Sequence, residues 1–163
     1  MLAEYDVAWF EEPLNPDALE DYVSLRRAAL VTIASGEVFI RRQSFQPWVK
    51  AVDIVQPDVT KVGGISEERR IGWMAQDHGI RFIPHGWNTA VGLAADLQLA
   101  SAFSGTDLVE YMTGSAYIDE LAVGGLELDA EGLLPIPDAP DLGLQLSAYA
   151  MARYSSNGYA TAE

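Results

Sequence analysis

Cysteine is absent, and histidine occurs only twice, at His78 and His85. The first absence excludes disulfides, thiolate nucleophiles and zinc–thiolate sites together. The second leaves any imidazole chemistry to one of two residues. Positive charge is scarce: 10 Lys and Arg stand against 24 Asp and Glu, for a net charge of −14. Nucleic acid and anionic membranes both demand basic surface, so neither fits as a partner. A small anionic substrate stays compatible, because a bound cation can reverse the local field. No apolar run approaches the roughly 18 residues of a membrane helix, and no signal peptide is visible, so a soluble, cytoplasmic protein is expected. Walker and dinucleotide motifs are missing too; Lys61-Val62-Gly63-Gly64 has the wrong spacing.

What is present is a repeat. Glu11, Glu37, Asp58, His85 and Glu110 each end a short apolar run, at intervals of 26, 21, 27 and 25 residues. The runs, among them Val7-Ala8-Trp9-Phe10 and Val52-Asp53-Ile54-Val55, are nearly continuous in apolar character, as parallel strands buried on both faces require. Strand alternating with helix predicts right-handed βαβ units, hence one wall of a (β/α) barrel. In such barrels the carboxyl ends of the strands form the active face, so polar groups in register there read as catalytic. The chain has 163 residues, too few for a closed eight-stranded barrel of roughly 250.

Strands are predicted near 5–11, 30–35, 52–56, 81–84 and 107–112. A helix capped by Asn15-Pro16 should run to about Ala29. Others are expected over about 41–51, where Pro47 is a poor fit, from a Ser66 cap to Gly79, and over 89–103. Residues 1–122 are read as the barrel portion. Residues 123–163, rich in Gly, Pro and Asp, are read as an extended segment of strands and turns, with a disordered tail from Asn157.

Trp9-Phe10-Glu11-Glu12-Pro13, Gly36-Glu37, Gln56-Pro57-Asp58-Val59-Thr60-Lys61-Val62-Gly63-Gly64 and Pro84-His85-Gly86-Trp87-Asn88-Thr89-Ala90 together resemble the enolase superfamily, most closely its mandelate racemase subgroup. The resemblance implies an α/β fold, a partial (β/α) TIM barrel covering about the fourth to eighth strands, with flanking helices. It implies that Glu11 and Glu37 are two of three carboxylate ligands to one Mg²⁺. By the same likeness Asp58 and His85 form a proton-transfer dyad, and Glu110 hydrogen-bonds the substrate carboxylate. The third ligand and a Lys-x-Lys base motif would lie on earlier strands, and the segment after residue 122 would pack against a capping domain missing from this sequence.

Each residue also has an ordinary reading. Glu11 could be a solvated strand end and Glu37 a helix N-cap. His78 reads as a packing or surface histidine. His85 differs, because Asp58 precedes it by one βα unit, and a carboxylate on one ring nitrogen fixes the tautomer and leaves the other free. Lys61 is ambiguous: a related subgroup uses a lysine on this strand as its base, yet the Asp58–His85 pair favours the histidine route. Trp87 and Asn88 either line the substrate pocket or pack a loop. The implied activity is proton abstraction beside a carboxylate, with Mg²⁺ neutralising the developing charge, as the general account of this superfamily already has it. A sugar-acid dehydratase leads; a racemase or epimerase of a 2-hydroxy acid, or a non-catalytic fragment acting as assembly partner, remain alternatives. The partners expected are a small carboxylate substrate and further copies in a homo-oligomer. An open barrel should expose Trp9 and Phe10 on an unpaired edge.

Overall fold

A computed structural model describes residues 2–124 and 126–155. Four parallel strands, β1 (Phe10–Glu11), β2 (Ile33–Ser35), β3 (Ile54–Val55) and β4 (Arg81–Phe82), lie side by side in chain order. Phe10 pairs with Ile33, Ala34 with Ile54, and Val55 with Phe82. Helices α1 (Leu19–Ala28), α2 (Arg42–Trp48), the short α3 (Val59–Val62) and α4 (Ile65–Asp77) carry the chain between strands. Helix α5 (Ala90–Ala100) follows β4, and α6 (Ala116–Asp119) and α7 (Ala148–Tyr154) complete the set. Parallel neighbours joined through helices are the βαβ units that the sequence repeat predicts. No helix of the described residues is long and apolar enough to cross a membrane.

The pleat of the strands sorts the core into two layers. Ile33, Val55 and Phe82 face the helices, where they join Tyr22, Phe45, Trp48, Ile71, Leu99 and Phe103. Ala34, Ile54 and Ile83 pack together on the opposite, barrel-interior face, with Trp9 against them. Trp9 is thus drawn inward rather than left on the edge, while Phe10 is 41% exposed there. The first strand is also shorter than predicted: residues Leu2–Tyr5 form a 3₁₀ turn, and pairing begins only at Phe10.

Several boundaries differ for local reasons. Asn15 Oδ1 accepts from Asp17 N at 2.9 Å, so Asn15 builds a turn ahead of α1 and Ala18 becomes the cap. Helix α4 starts from Gly64, at φ 87°, and takes Ser66 into its first turn. Its end at Gly79, φ 66°, is as expected. Pro47 sits inside α2; only its own N–H is lost, and Val49 N still reaches Phe45 O at 3.1 Å.

Residues 107–112 do not pair as a fifth strand. Their backbone bond to the sheet end is Glu110 N to Pro84 O at 3.3 Å. Pro84 has no N–H to return, and the carbonyl of Phe82 is taken by Thr106 Oγ1 at 3.0 Å. Beyond them, among the described residues, the chain forms α6, α7 and an antiparallel bridge between Ala122 and Leu146. Ile118, Leu126, Leu134 and Leu144 pack with Leu93 and Leu97 of α5 as a second core. The tail from Asn157 lies outside the described residues.

Gly36 combines a left-handed backbone with close neighbours. Its φ is +139°, and a Cβ there would lie 2.9 Å from Phe45 Cε1 and 3.1 Å from the Gln56 nitrogen. Gly36→Ala should therefore destabilise the chain by about 1–3 kcal/mol, read as a lower urea midpoint. An unchanged midpoint would show that the turn into Glu37 is not constrained as described.

Candidate active site

The ends of β2, β3 and β4 bring the sequence-predicted residues together around one imidazole. Asp58 follows β3 and caps α3, its Oδ1 accepting from Thr60 N at 2.8 Å and Thr60 Oγ1 at 2.6 Å. The other oxygen, Oδ2, lies 3.0 Å from His85 Nδ1 and 3.4 Å from Lys61 Nζ. His85 follows β4, and its Nε2 faces Glu37 Oε2 at 3.2 Å and Glu110 Oε2 at 3.5 Å. Glu110 is held in turn by Gly86 N at 3.0 Å. Gly86 is required there, because a Cβ would come within 2.1 Å of the Glu110 carbonyl oxygen.

Burial is graded across this cluster. Asp58 is 0% and His85 2% exposed, whereas the side chains of Glu37, Glu110 and Lys61 are 31%, 34% and 36% exposed. The dyad thus forms a floor, and its flanking charges open to solvent. Burial alone would raise the Asp58 pKa. The hydrogen bonds from His85 and Thr60, aided by Lys61, outweigh it and hold Asp58 well below the usual carboxylate range. Burial alone would lower His85. The Asp58 bond, then Glu110 and Glu37, outweigh it and raise the imidazole above its ordinary value.

Glu11, at the end of β1, stands apart from the imidazole. Its Oε2 accepts from Gln56 Nε2 at 2.7 Å and Trp9 Nε1 at 3.0 Å. Glu11 and Glu37 offer hard oxygen donors from adjacent strand ends, which is the chemistry Mg²⁺ selects, and Mg²⁺ commonly takes one or two carboxylates and keeps waters. No group of three or more His, Asp or Glu side chains is arranged to hold a metal among the described residues. The donor set fits a metal that completes its shell with other ligands.

Trp87 lies on the rim, 67% exposed. Asn88 turns inward, its Nδ2 3.5 Å from Asp58 Oδ1. His78 is exposed, with Nδ1 at 2.9 Å from Met74 O, as its surface reading predicts. Three polar residues near the site escaped sequence reasoning: Gln56, Glu68 and Asp96, at 4%, 0% and 0% exposure. A lone acid in the apolar run Ala90–Ala100 was the available signal for Asp96. Glu68 is hidden by its neighbour Glu67, since two acids in a first turn read as dipole complements.

A family model described as enolase C-terminal domain-like matches residues 1–150. The chain is 32% identical to D-galactarolactone cycloisomerase of Agrobacterium fabrum, over 93% of this chain and 43% of that protein. It is 31% identical to D-xylonate dehydratase of Haloferax volcanii, over 96% of this chain and 39% of that protein. Among solved structures, a mandelate racemase/muconate lactonizing enzyme from Sulfitobacter superposes with a TM-score of 0.86 at 32% identity, covering 96% of this chain and 40% of that one. The chain thus spans less than half the length of the curated relatives it matches.

The electrostatics of the dyad set a pH dependence. A raised imidazole pKa stabilises the fold fully below the unfolded value and loses that contribution as pH rises through the folded one. In an NMR titration His85 should have its midpoint above about 6.5, the unperturbed value, and Asp58→Asn should move it down. A His85 midpoint at or below the unperturbed value would show that burial, not the carboxylates, governs the ring.

Proposed function

The chain belongs to the enolase C-terminal domain-like family, and on that premise we propose that it is the C-terminal barrel portion of a Mg²⁺-dependent sugar-acid dehydratase. The carrying observation is His85, fixed through Nδ1 by Asp58 and presenting Nε2 between Glu37 and Glu110 at the strand ends. Proton transfer by a histidine needs one nitrogen anchored and the other free to reach the reacting group.

Glu11 and Glu37, with ligands from outside these residues, would hold the metal, which would supply positive charge beside the substrate carboxylate. The residues of this chain do the rest. His85 takes the proton from the carbon beside that carboxylate as base, or donates one to the departing β-hydroxyl as acid. The flanking carboxylates favour its charged form, which suits the acid role and supports dehydration. Lys61 moderates the negative charge of Asp58 from 3.4 Å. Glu110 lies where the substrate carboxylate would be received, and Trp87 borders the entrance. Asn88 holds Asp58 from behind and lines the pocket only indirectly. A small sugar acid as substrate, a cytoplasmic setting and a homo-oligomer complete the proposal. The likeness to a cycloisomerase keeps isomerisation as a second reading; a racemase would need a second base from outside these residues.

In the barrel that carries this chain, His85→Asn should lower deuterium incorporation beside the carboxylate by about 10²–10⁴-fold. Retained exchange would move the base to Lys61 or to another strand. Chelation should abolish dehydration of a sugar acid, and added Mg²⁺ should restore it; full activity after chelation would refute the metal dependence.

A further inference from the structure

Glu68 on α4 and Asp96 on α5 are both fully buried, and none of their four carboxylate oxygens has a hydrogen-bond partner. A fifth orphan lies beside them. Asn88 Oδ1 is buried without a donor, seated over Gly92, where a Cβ would come within 2.2 Å of it. Asp96 lies one turn beyond Gly92 on the same face of α5, within hydrogen-bonding reach of both Glu68 and Asn88. Ionised carboxylates and an amide oxygen are acceptors only, so these contacts lack their donor.

Among the described residues no cation forms an ion pair with either acid, and the lowering influence of His85 on Asp96 is outweighed by burial. Arg42 of α2 pairs with Glu67, Lys61 of α3 with Asp58, and Arg81 of β4 with Asp107. On α4 itself Arg69 lies over Trp73 and Arg70 pairs with Glu67. His85 is taken by Asp58, Glu37 and Glu110, and α6 offers only the acid Asp119. Asp58 adds its own repulsion. Two buried like charges at one place cannot both persist. Burial first, then Asp96, pushes Glu68 up to about 10; for Asp96 burial outweighs the lowering contacts of Glu68, Asn88 and His85 and, with Asp58 adding, pushes it up to about 8.

We propose that Glu68 and Asp96 hold protons at neutral pH and act as a positioning pair for the dyad. An O–H bond joins the two acids, a second O–H from Asp96 reaches Asn88 Oδ1, and Asn88 is thereby fixed with its Nδ2–H toward Asp58. The chain of contacts then runs Glu68, Asp96, Asn88, Asp58, His85. Its catalytic meaning rests on the proton-transfer role proposed for His85; the proton itself does not.

An acid whose pKa is raised by folding keeps a proton that the unfolded chain has lost, so stability falls as pH rises toward the folded value. Each such proton multiplies the unfolding constant about tenfold per pH unit. Urea unfolding of the full chain should show this slope from roughly pH 5 to about 8, and Glu68→Gln should remove about one tenfold step per unit. An infrared band of buried protonated carboxyl should be present at pH 7 and weakened in the variant. Above the titration of the pair, the Asn88 amide and His85 ring ¹⁵N signals should shift in the native chain and stay in place in Glu68→Gln. If that variant fails to fold, Asp96→Asn carries the same comparison, and the native infrared band stands without either. A missing band, or equal slopes, overturns the shared protons. A slope difference with Asn88 and His85 signals that move alike in both chains overturns the positioning. All these readouts are taken without substrate or metal, so they stand or fall separately from the dehydratase assignment.

Discussion

The buried hydrogen bond between Asp58 Oδ2 and His85 Nδ1, at 3.0 Å, is the constraint on which this structure turns. Asp58 is fully buried and His85 nearly so, and breaking a buried pair of this kind costs about 3–5 kcal/mol. The two side chains meet because β3 and β4 are parallel neighbours in register, Ile54 opposite Arg81 and Val55 opposite Phe82, and each continues beyond its last paired residue to the same level. Backbone bonds prolong that register, with His85 N on Pro57 O at 3.0 Å. Asp58 also caps α3, so one carboxylate ends a strand, starts a helix and orients the imidazole. Secondary structure and chemistry share a residue here.

Everything around the bond serves to bring charge to the free face of the ring without flooding the core. Gly36 lets the chain turn tightly between Phe45 and Gln56, which delivers Glu37. Gly86 lets the 107–112 segment approach closely enough to deliver Glu110. Two carboxylates then lie within 3.5 Å of Nε2 while remaining about one-third exposed. Solvent screens them more than it screens Asp58. The ring is therefore anchored from below by a buried charge and tuned from above by accessible ones, an arrangement suited to holding and releasing a proton.

Much of this was legible in the sequence. The apolar runs and their polar ends located β1 to β4 and, of the five strand-end residues, His85 with the three carboxylates about it, because parallel strands buried on both faces leave few positions for charge. Glu11 was read at its strand end but not in its present company; Gln56, which holds it, sits beside the Pro57-Asp58 signal and was passed over. The 107–112 run looked like a strand because Leu108 and Val109 are apolar, yet Pro84 withholds the donor that pairing needs. Helix boundaries moved where an Asx turn or a left-handed glycine competed for the cap, as at Asn15 and Gly64. Periodicity reports which face is buried, not which acids meet behind it. Glu68 and Asp96 lie on different helices, and only the packing of α4 on α5 joins them.

The most direct test of the central claim is the tautomer of neutral His85, read from its two ring ¹⁵N shifts above the imidazole titration. Anchoring by Asp58 predicts the proton on Nδ1 and a bare Nε2 facing Glu37 and Glu110. A proton on Nε2 with Nδ1 bare would contradict the account, because Asp58 would then have no donor from the ring and the one nitrogen able to accept a proton would face Asp58 instead of the open side of the site.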